Sequence, residues 1–308
     1  MKIGFYCYSP ASINTMRALS FNIPDFINNI NIYFYNSDIA KIYFNEFDSL
    51  NIDTSKLTFI HNDIDESVKE LDLMIYGTGS GHELELTIPK RVKNFNSDLK
   101  TLSINDIFWD SKDGLNKRFK CSPDYLIVSS AFEKTMVVNE LNLMCAENVF
   151  IIGNPHFDRL KDLDILEDRG HLSVSFISQC GLGGSYDEPT ADLSKEGILE
   201  LLELLNSGII TDLVIYKHPR ENLTFYNEIG YLPSNTNDFL DMMRSGIIIS
   251  GGSTPHYESM LIGKRNLFVG RGSLKSRILN NEWDTLDVSI NFDSKSETYN
   301  LIKNNIVK

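Results

Sequence analysis

Short apolar runs recur along the first half of the chain, at Ile3–Tyr8, Ile32–Tyr35, Leu57–His61, Leu71–Tyr76, Leu102–Ile104, Tyr125–Val128 and Val149–Ile152. They are rich in β-branched and aromatic residues, and the first ends at Ser9-Pro10. Unbroken runs of this length predict strands buried on both faces rather than strands with one wet face. Stretches with helical spacing lie between several of them, such as Asn14–Phe21 and Glu83–Asn94. Strand and helix in alternation predict an α/β domain built on a parallel sheet.

The pattern breaks after Gly153-Asn154-Pro155, where Asp158–Gly170 is charged and only weakly apolar, and resumes at Leu172–Ile177. The second half predicts a helix near Lys195–Leu205, a strand at Asp212–Lys217, a helix near Asp238–Arg244 and a strand at Ile247–Ser250. A helix at His256–Ile262, a strand at Asn266–Val269 and a final helix from Ser294 to Lys308 follow. The expected organisation is a Rossmann-like domain over 1–154, a linker over 155–170 and a second Rossmann-like domain over 171–308. The final helix either packs back on the first domain or remains a free tail.

A length of 308 residues with 42% hydrophobic content supports two cores of about 150 residues each. The formal net charge of −13 argues against a broad nucleic-acid surface, which needs clustered Lys and Arg, but leaves room for a small anion in a local pocket. Cys7, Cys121, Cys145 and Cys180 are widely spaced, with no zinc-ligand grouping, and read as reduced, mostly buried thiols. The opening MKIGFYCYSP reads as a strand, not a signal peptide, and no run approaches the ~20 apolar residues of a membrane span. A cytoplasmic protein is expected, with peripheral association at the inner membrane face and homo-oligomerisation both left open.

Ligands of open parallel sheets bind beyond the carboxyl ends of the strands. After the strand at Ile247 comes Ser250-Gly251-Gly252-Ser253-Thr254-Pro255, which opens a helix. Backbone N–H groups at a Gly-rich helix start, here Gly252, Ser253 and Thr254, make a phosphate cradle, and an ordinary capped turn is the alternative. Glu258, one turn further, suits ribose hydroxyls, or is simply a helix charge. After the strand at Asp212 comes Lys217-His218-Pro219-Arg220-Glu221, in which Lys217 and a His218 fixed by Pro219 can meet a phosphate. After the strand at Leu172 comes Ser178–Ser185, where Gly183 and Gly184 allow close backbone approach, or form only a turn.

In the first half, Tyr76–Glu83 follows a strand and places His82 and Glu83 at a helix start, while Asp106 follows the strand ending at Ile104. Each is able to remove a proton from an acceptor hydroxyl, and each is equally a cap or a core hydrogen-bond partner.

With these residues assembled, the chain resembles the GT-B superfamily that contains surface-polysaccharide glycosyltransferases and non-hydrolysing nucleotide-sugar 2-epimerases. VFIIGNPHFDRL (149–160) resembles the segment that starts the interdomain linker, and SGGSTPHYESMLIG (250–263) resembles the donor-phosphate loop and acidic helix. Leu102–Asp110 resembles a strand-end segment of the acceptor domain, and Lys217-His218-Pro219 resembles the His-Pro motif of bacterial sialyltransferases and polyol-phosphate transferases. The resemblance implies two Rossmann-like domains and a nucleotide-sugar co-substrate, with CMP-sugar favoured and UDP-sugar the alternative. It further implies His218 on the donor phosphate, with Ser253 and Thr254 assisting.

The expected activity is transfer of a sugar, such as a nonulosonic acid, to a glycan or lipid-linked glycan acceptor. Glu83, Asp106 or His82 would serve as base, with no metal and no further cofactor. The sialyltransferase Asp/Glu-Asp/Glu-Gly motif is missing from the first half, which is why Glu83 and Asp106 stand in for it. Two alternatives are a UDP-sugar 2-epimerase-like enzyme and a binding protein without turnover. Arg220-Glu221-Asn222 is similar to part of an epimerase His-Arg-Arg-Glu-Asn run but follows a different strand in chain order. The abundance of Asn and Ile suggests an AT-rich bacterial genome and hence capsule or lipopolysaccharide synthesis.

Overall fold

The computed structural model describes residues 1–8, 10–34, 55–60, 64–78, 83–105, 121–163, 169–178, 188–218, 221–236, 238–285, 291 and 293–305. The chain divides into two compact units, Met1–Arg159 with Val288–Lys308, and Leu160–Asp287. The second unit therefore ends at Asp287 instead of at the C-terminus. Pro155–Asp162, expected within a linker, is a 3-10 helix.

In the first unit β1 (Lys2–Cys7), α1 (Pro10–Leu19), β2 (Asn29–Phe34), β3 (Leu57–Ile60) and β4 (Leu73–Gly77) come first. They are followed by α2 (Glu83–Leu86), α3 (Ile88–Lys93), β5 (Lys100–Ile104), β6 (Tyr125–Val128), α4 (Ala131–Thr135) and β7 (Val149–Ile151). The seven strands pair in parallel in the order β3-β2-β1-β4-β5-β6-β7. The single helix expected over Glu83–Asn94 is split, because Pro89 has no N–H to give the preceding turn and is accepted only in a new first turn.

Side chains alternate across the sheet as a strand's period of two requires. Ile3, Phe5, Ile30, Ile32, Leu73 and Ile75 form one face and pack with Ile13, Met16 and Leu19 of α1. Tyr6, Tyr33, Met74 and Tyr76 form the other, with Ile88 and Val92 of α3. The C-terminal helix, Ser294–Asn305, contributes Tyr299, Leu301 and Ile302 to the α1 face.

The second unit contains β8 (Ser173–Ile177), α5 (Glu188–Asn206), β9 (Asp212–Tyr216), α6 (Thr224–Glu228) and α7 (Phe239–Met242). Then come β10 (Ile247–Ser250), α8 (Thr254–Leu261), β11 (Arg265–Phe268) and α9 (Leu274–Asn280). The parallel order is β11-β10-β8-β9. Ile198, Leu201 and Leu204 sit on one stripe of α5 and are buried in this core with Val174, Phe176 and Ile249. Each such side chain contributes about 1.5–3 kcal/mol on burial.

Both units have the α/β, parallel-sheet class the sequence predicts. Each sheet has one place where the chain reverses its direction of progress, between β1 and β4 in the first and between β8 and β10 in the second. At such a switch the two connecting segments leave in opposite directions and open a crevice at the carboxyl ends. Cys7 is buried, Cys121 half-buried and Cys145 exposed, so burial does not extend to all the thiols; Cys180 lies outside the described residues. No helix among the described residues is long and apolar enough to cross a membrane.

Candidate functional site

In the second unit Tyr216, Ile177 and Ser250 are register partners on three adjacent strands. Adjacent strands lie ~4.8 Å apart, so Lys217, Ser178 and Gly251, the next residue on each, span about 10 Å of the carboxyl edge. Sheet pairing thus gathers at one switch point three strand ends that are far apart in sequence.

The β10–α8 loop is shaped by Ser250, whose hydroxyl oxygen accepts the amides of Gly252 at 3.2 Å and Ser253 at 3.3 Å. Gly252 has φ +122°, a conformation L side chains rarely adopt. Ser253 is the N-cap of α8, yet its hydroxyl bonds Ser250 at 3.1 Å and makes no cap, and Pro255 has no N–H to offer. The His256 amide turns to the Ser253 carbonyl, so the Thr254 amide and the positive end of the helix dipole are what this start offers an anion.

Thr254 is exposed, and Glu258, one turn later on the same side of α8, is 2% exposed. His256 is enclosed by Phe268, its ring 4.4 Å away centroid to centroid, and by Tyr257. Burial lowers its pKa to about 3, so it stays neutral and lends the site no charge.

At the end of β9 the His218 carbonyl accepts the Glu221 amide at 2.9 Å, closing a turn. Glu221 is 5% exposed, and its carboxylate collects three donors: the Ser178 hydroxyl at 2.6 Å, the Tyr226 hydroxyl at 2.8 Å and the His218 amide at 3.2 Å. Burial, and then the adjacent Glu221 charge, push the Tyr226 phenol far above its ordinary value and keep it a donor. The Lys217 ammonium donates to the carbonyls of Glu221 at 3.1 Å and His218 at 3.5 Å. Lys217 and His218 are both half-buried.

The carboxyl edge of the first unit carries a buried polar chain across β4, β5 and β6. The Thr78 hydroxyl donates to Asn105 Oδ1 at 2.9 Å, and Asn105 Nδ2 donates to Glu133 Oε1 at 3.0 Å. Glu133 Oε2 accepts the amides of Ser129 at 2.7 Å and Ser130 at 3.1 Å, while Ser130 Oγ accepts the Glu133 amide, a complete capping box. Burial dominates over these donors and raises the Glu133 carboxyl to about 8.

The structure therefore places Lys217, His218, Gly252, Ser253 and Thr254 along one sheet edge of the second unit, with Glu258 buried one turn into α8. Glu83 opens α2, but its side chain lies outside the described residues, as do His82, Asp106, Gly183, Gly184 and Pro219. Sequence reasoning missed the roles of Ser178, Glu221 and Tyr226, whose grouping depends on strand pairing. It also missed Glu133, for which Ser130-x-x-Glu133 ahead of an apolar run was an available signal. Among the described residues no three His, Cys, Asp or Glu gather in a way that would hold a metal ion.

No protein-family model and no curated protein matches the sequence. Solved structures do resemble it along nearly its whole length. The UDP-GlcNAc 2-epimerase of Methanocaldococcus jannaschii in complex with UDP-GlcNAc and UDP is 12% identical, with a TM-score of 0.67 over 98% of this chain and 99% of that one. The UDP-GlcNAc 2-epimerase of Neisseria meningitidis bound to UDP-GlcNAc is 13% identical, with a TM-score of 0.62 over 98% and 91%. The glycotransferase of kitacinnamycin is 10% identical, with a TM-score of 0.52 over 99% and 92%. At these identities the likeness establishes the fold, which is GT-B with two Rossmann-like domains. None of these three is a sialyltransferase, and the CMP donor suggested by Lys217-His218-Pro219 draws no support from them.

Proposed function

We propose that the chain is a nucleotide-sugar enzyme whose substrate is a UDP-sugar, with inversion at C2 of the sugar as the favoured reaction. The observation that carries the ligand assignment is the β8/β10 switch, where an uncapped helix start and the Lys217-His218 turn share one sheet edge. The diphosphate would lie on the first turn of α8, with Lys217 and His218 neutralising it. Preorganised donors of this kind act most strongly where charge gathers on the phosphate. Glu258 would hold the ribose.

UDP is preferred to CMP because two GT-B structures similar over more than nine-tenths of both chains bind UDP-GlcNAc. Both are UDP-GlcNAc 2-epimerases, which also favours C2 inversion over sugar transfer. Transfer to an acceptor hydroxyl is the second reading, supported by the likeness to a glycotransferase structure. In either reading proton transfer needs titratable groups, for which His82, Glu83 and Asp106 are the candidates. Peripheral membrane association and a lipid-linked acceptor belong to the transfer reading alone.

Incubation with UDP-GlcNAc in D2O, followed by proton NMR, separates the readings. Inversion that breaks the C2–H bond yields the C2 epimer with deuterium at C2. Release of UDP only when a glycan acceptor is added assigns transfer. Binding without turnover assigns a binding protein, and absence of UDP binding overturns the site itself.

A further inference from the structure

Glu221 presents a physical puzzle: it carries a carboxylate that is almost wholly buried, where an apolar residue would pack at lower cost. Its donors come from three places, Ser178 after β8, the His218 amide after β9 and Tyr226 on α6. It therefore joins the end of β8, at Ser178, to the residues that follow β9. The turn so fixed supplies the carbonyls of Glu221 and His218 that hold the Lys217 ammonium. An ammonium has three N–H groups, and two on carbonyls leave one for an anion.

We infer that Glu221 is a positioning residue for the nucleotide site, fixing Lys217 and His218 against Ser178 without itself touching the ligand. The inference rests on the proposal that a nucleotide binds this edge. Preorganisation raises affinity because the ordering is complete before the ligand arrives. Loss of the carboxylate would then appear as weaker binding, beyond any loss of stability.

The experiment is isothermal titration with UDP of wild type, Glu221→Ala, Glu221→Gln and Tyr226→Phe, each with a urea denaturation curve. Tyr299→Phe is the control, since it removes a buried hydroxyl that donates to the Leu19 carbonyl in the other unit. The expected result is UDP binding weakened about tenfold in Glu221→Ala and about threefold in Tyr226→Phe, with Glu221→Gln partly restored. Tyr299→Phe should lose stability and keep wild-type affinity. If Tyr226→Phe or a folded Glu221→Ala binds UDP as wild type does, the positioning role is overturned while the nucleotide site stands. If wild type fails to bind UDP, the functional proposal falls and takes this inference with it.

Discussion

Glu133 is the clearest case of a single residue whose environment sets a measurable property. It is fully buried, and desolvation outweighs three N–H donors to raise its carboxyl from near 4.5 to about 8. A folded-state pKa above the unfolded one means that the folded chain holds the extra proton between these values. The associated stability is fully present below about pH 4.5 and is lost as pH rises through about 8. Urea denaturation at pH 5, 6, 7 and 8 should show a Glu133-dependent fall on the order of a few kcal/mol. Glu133→Gln cannot titrate and should flatten this slope while lowering stability at pH 5. An unchanged slope would show that the carboxyl is ionised throughout, held so by its capping amides.

At the scale of elements, the C-terminal helix is fastened by the segment that follows β7. Asp158 accepts the amides of Ser294 at 3.0 Å and Lys295 at 2.8 Å, capping a helix that begins 136 residues later in the chain. The Ser294 hydroxyl donates to the Ile152 carbonyl at 2.8 Å. Gly153 between them has φ +96°, and a Cβ there would lie 2.8 Å from Ser294 Oγ. Gly153→Ala should therefore cost about 1–3 kcal/mol, from backbone strain and the displaced hydroxyl. Asp158→Ala should cost about 1 kcal/mol as a lost cap. Denaturant midpoints check both, and a neutral Gly153→Ala would mean that the helix start yields at no cost.

For the whole molecule, two units with separate cores make the location of ligand contact a testable property. UDP should slow amide exchange first at Ser178, at Lys217 and His218, and at Gly252, Ser253 and Thr254, all on one edge of the second sheet. Hydrogen exchange followed by mass spectrometry reads this directly. Protection centred instead on the β4–β6 edge would move the nucleotide to the first unit. A formal net charge of −13 makes the local donors at the β8/β10 switch more telling, since the molecule as a whole repels an anionic ligand.

The sequence by itself determined the elements whose causes are local. Apolar runs of three to six residues became strands and the Gly-rich segment after β10 became a loop into a helix, while Pro89 divided the single helix expected over Glu83–Asn94. It also determined that Lys217, His218 and Ser250–Thr254 follow strands, because strand ends are visible in the apolar pattern. Tertiary structure alone decided which strand ends are neighbours. The partnership of Ser178 with Glu221 spans 43 residues, that of Thr78 with Asn105 spans 27, and that of Asp158 with Ser294 spans 136. A parallel sheet orders its strands by crossover, not by chain position, and at Glu133 burial then raises the carboxyl that the pairing encloses.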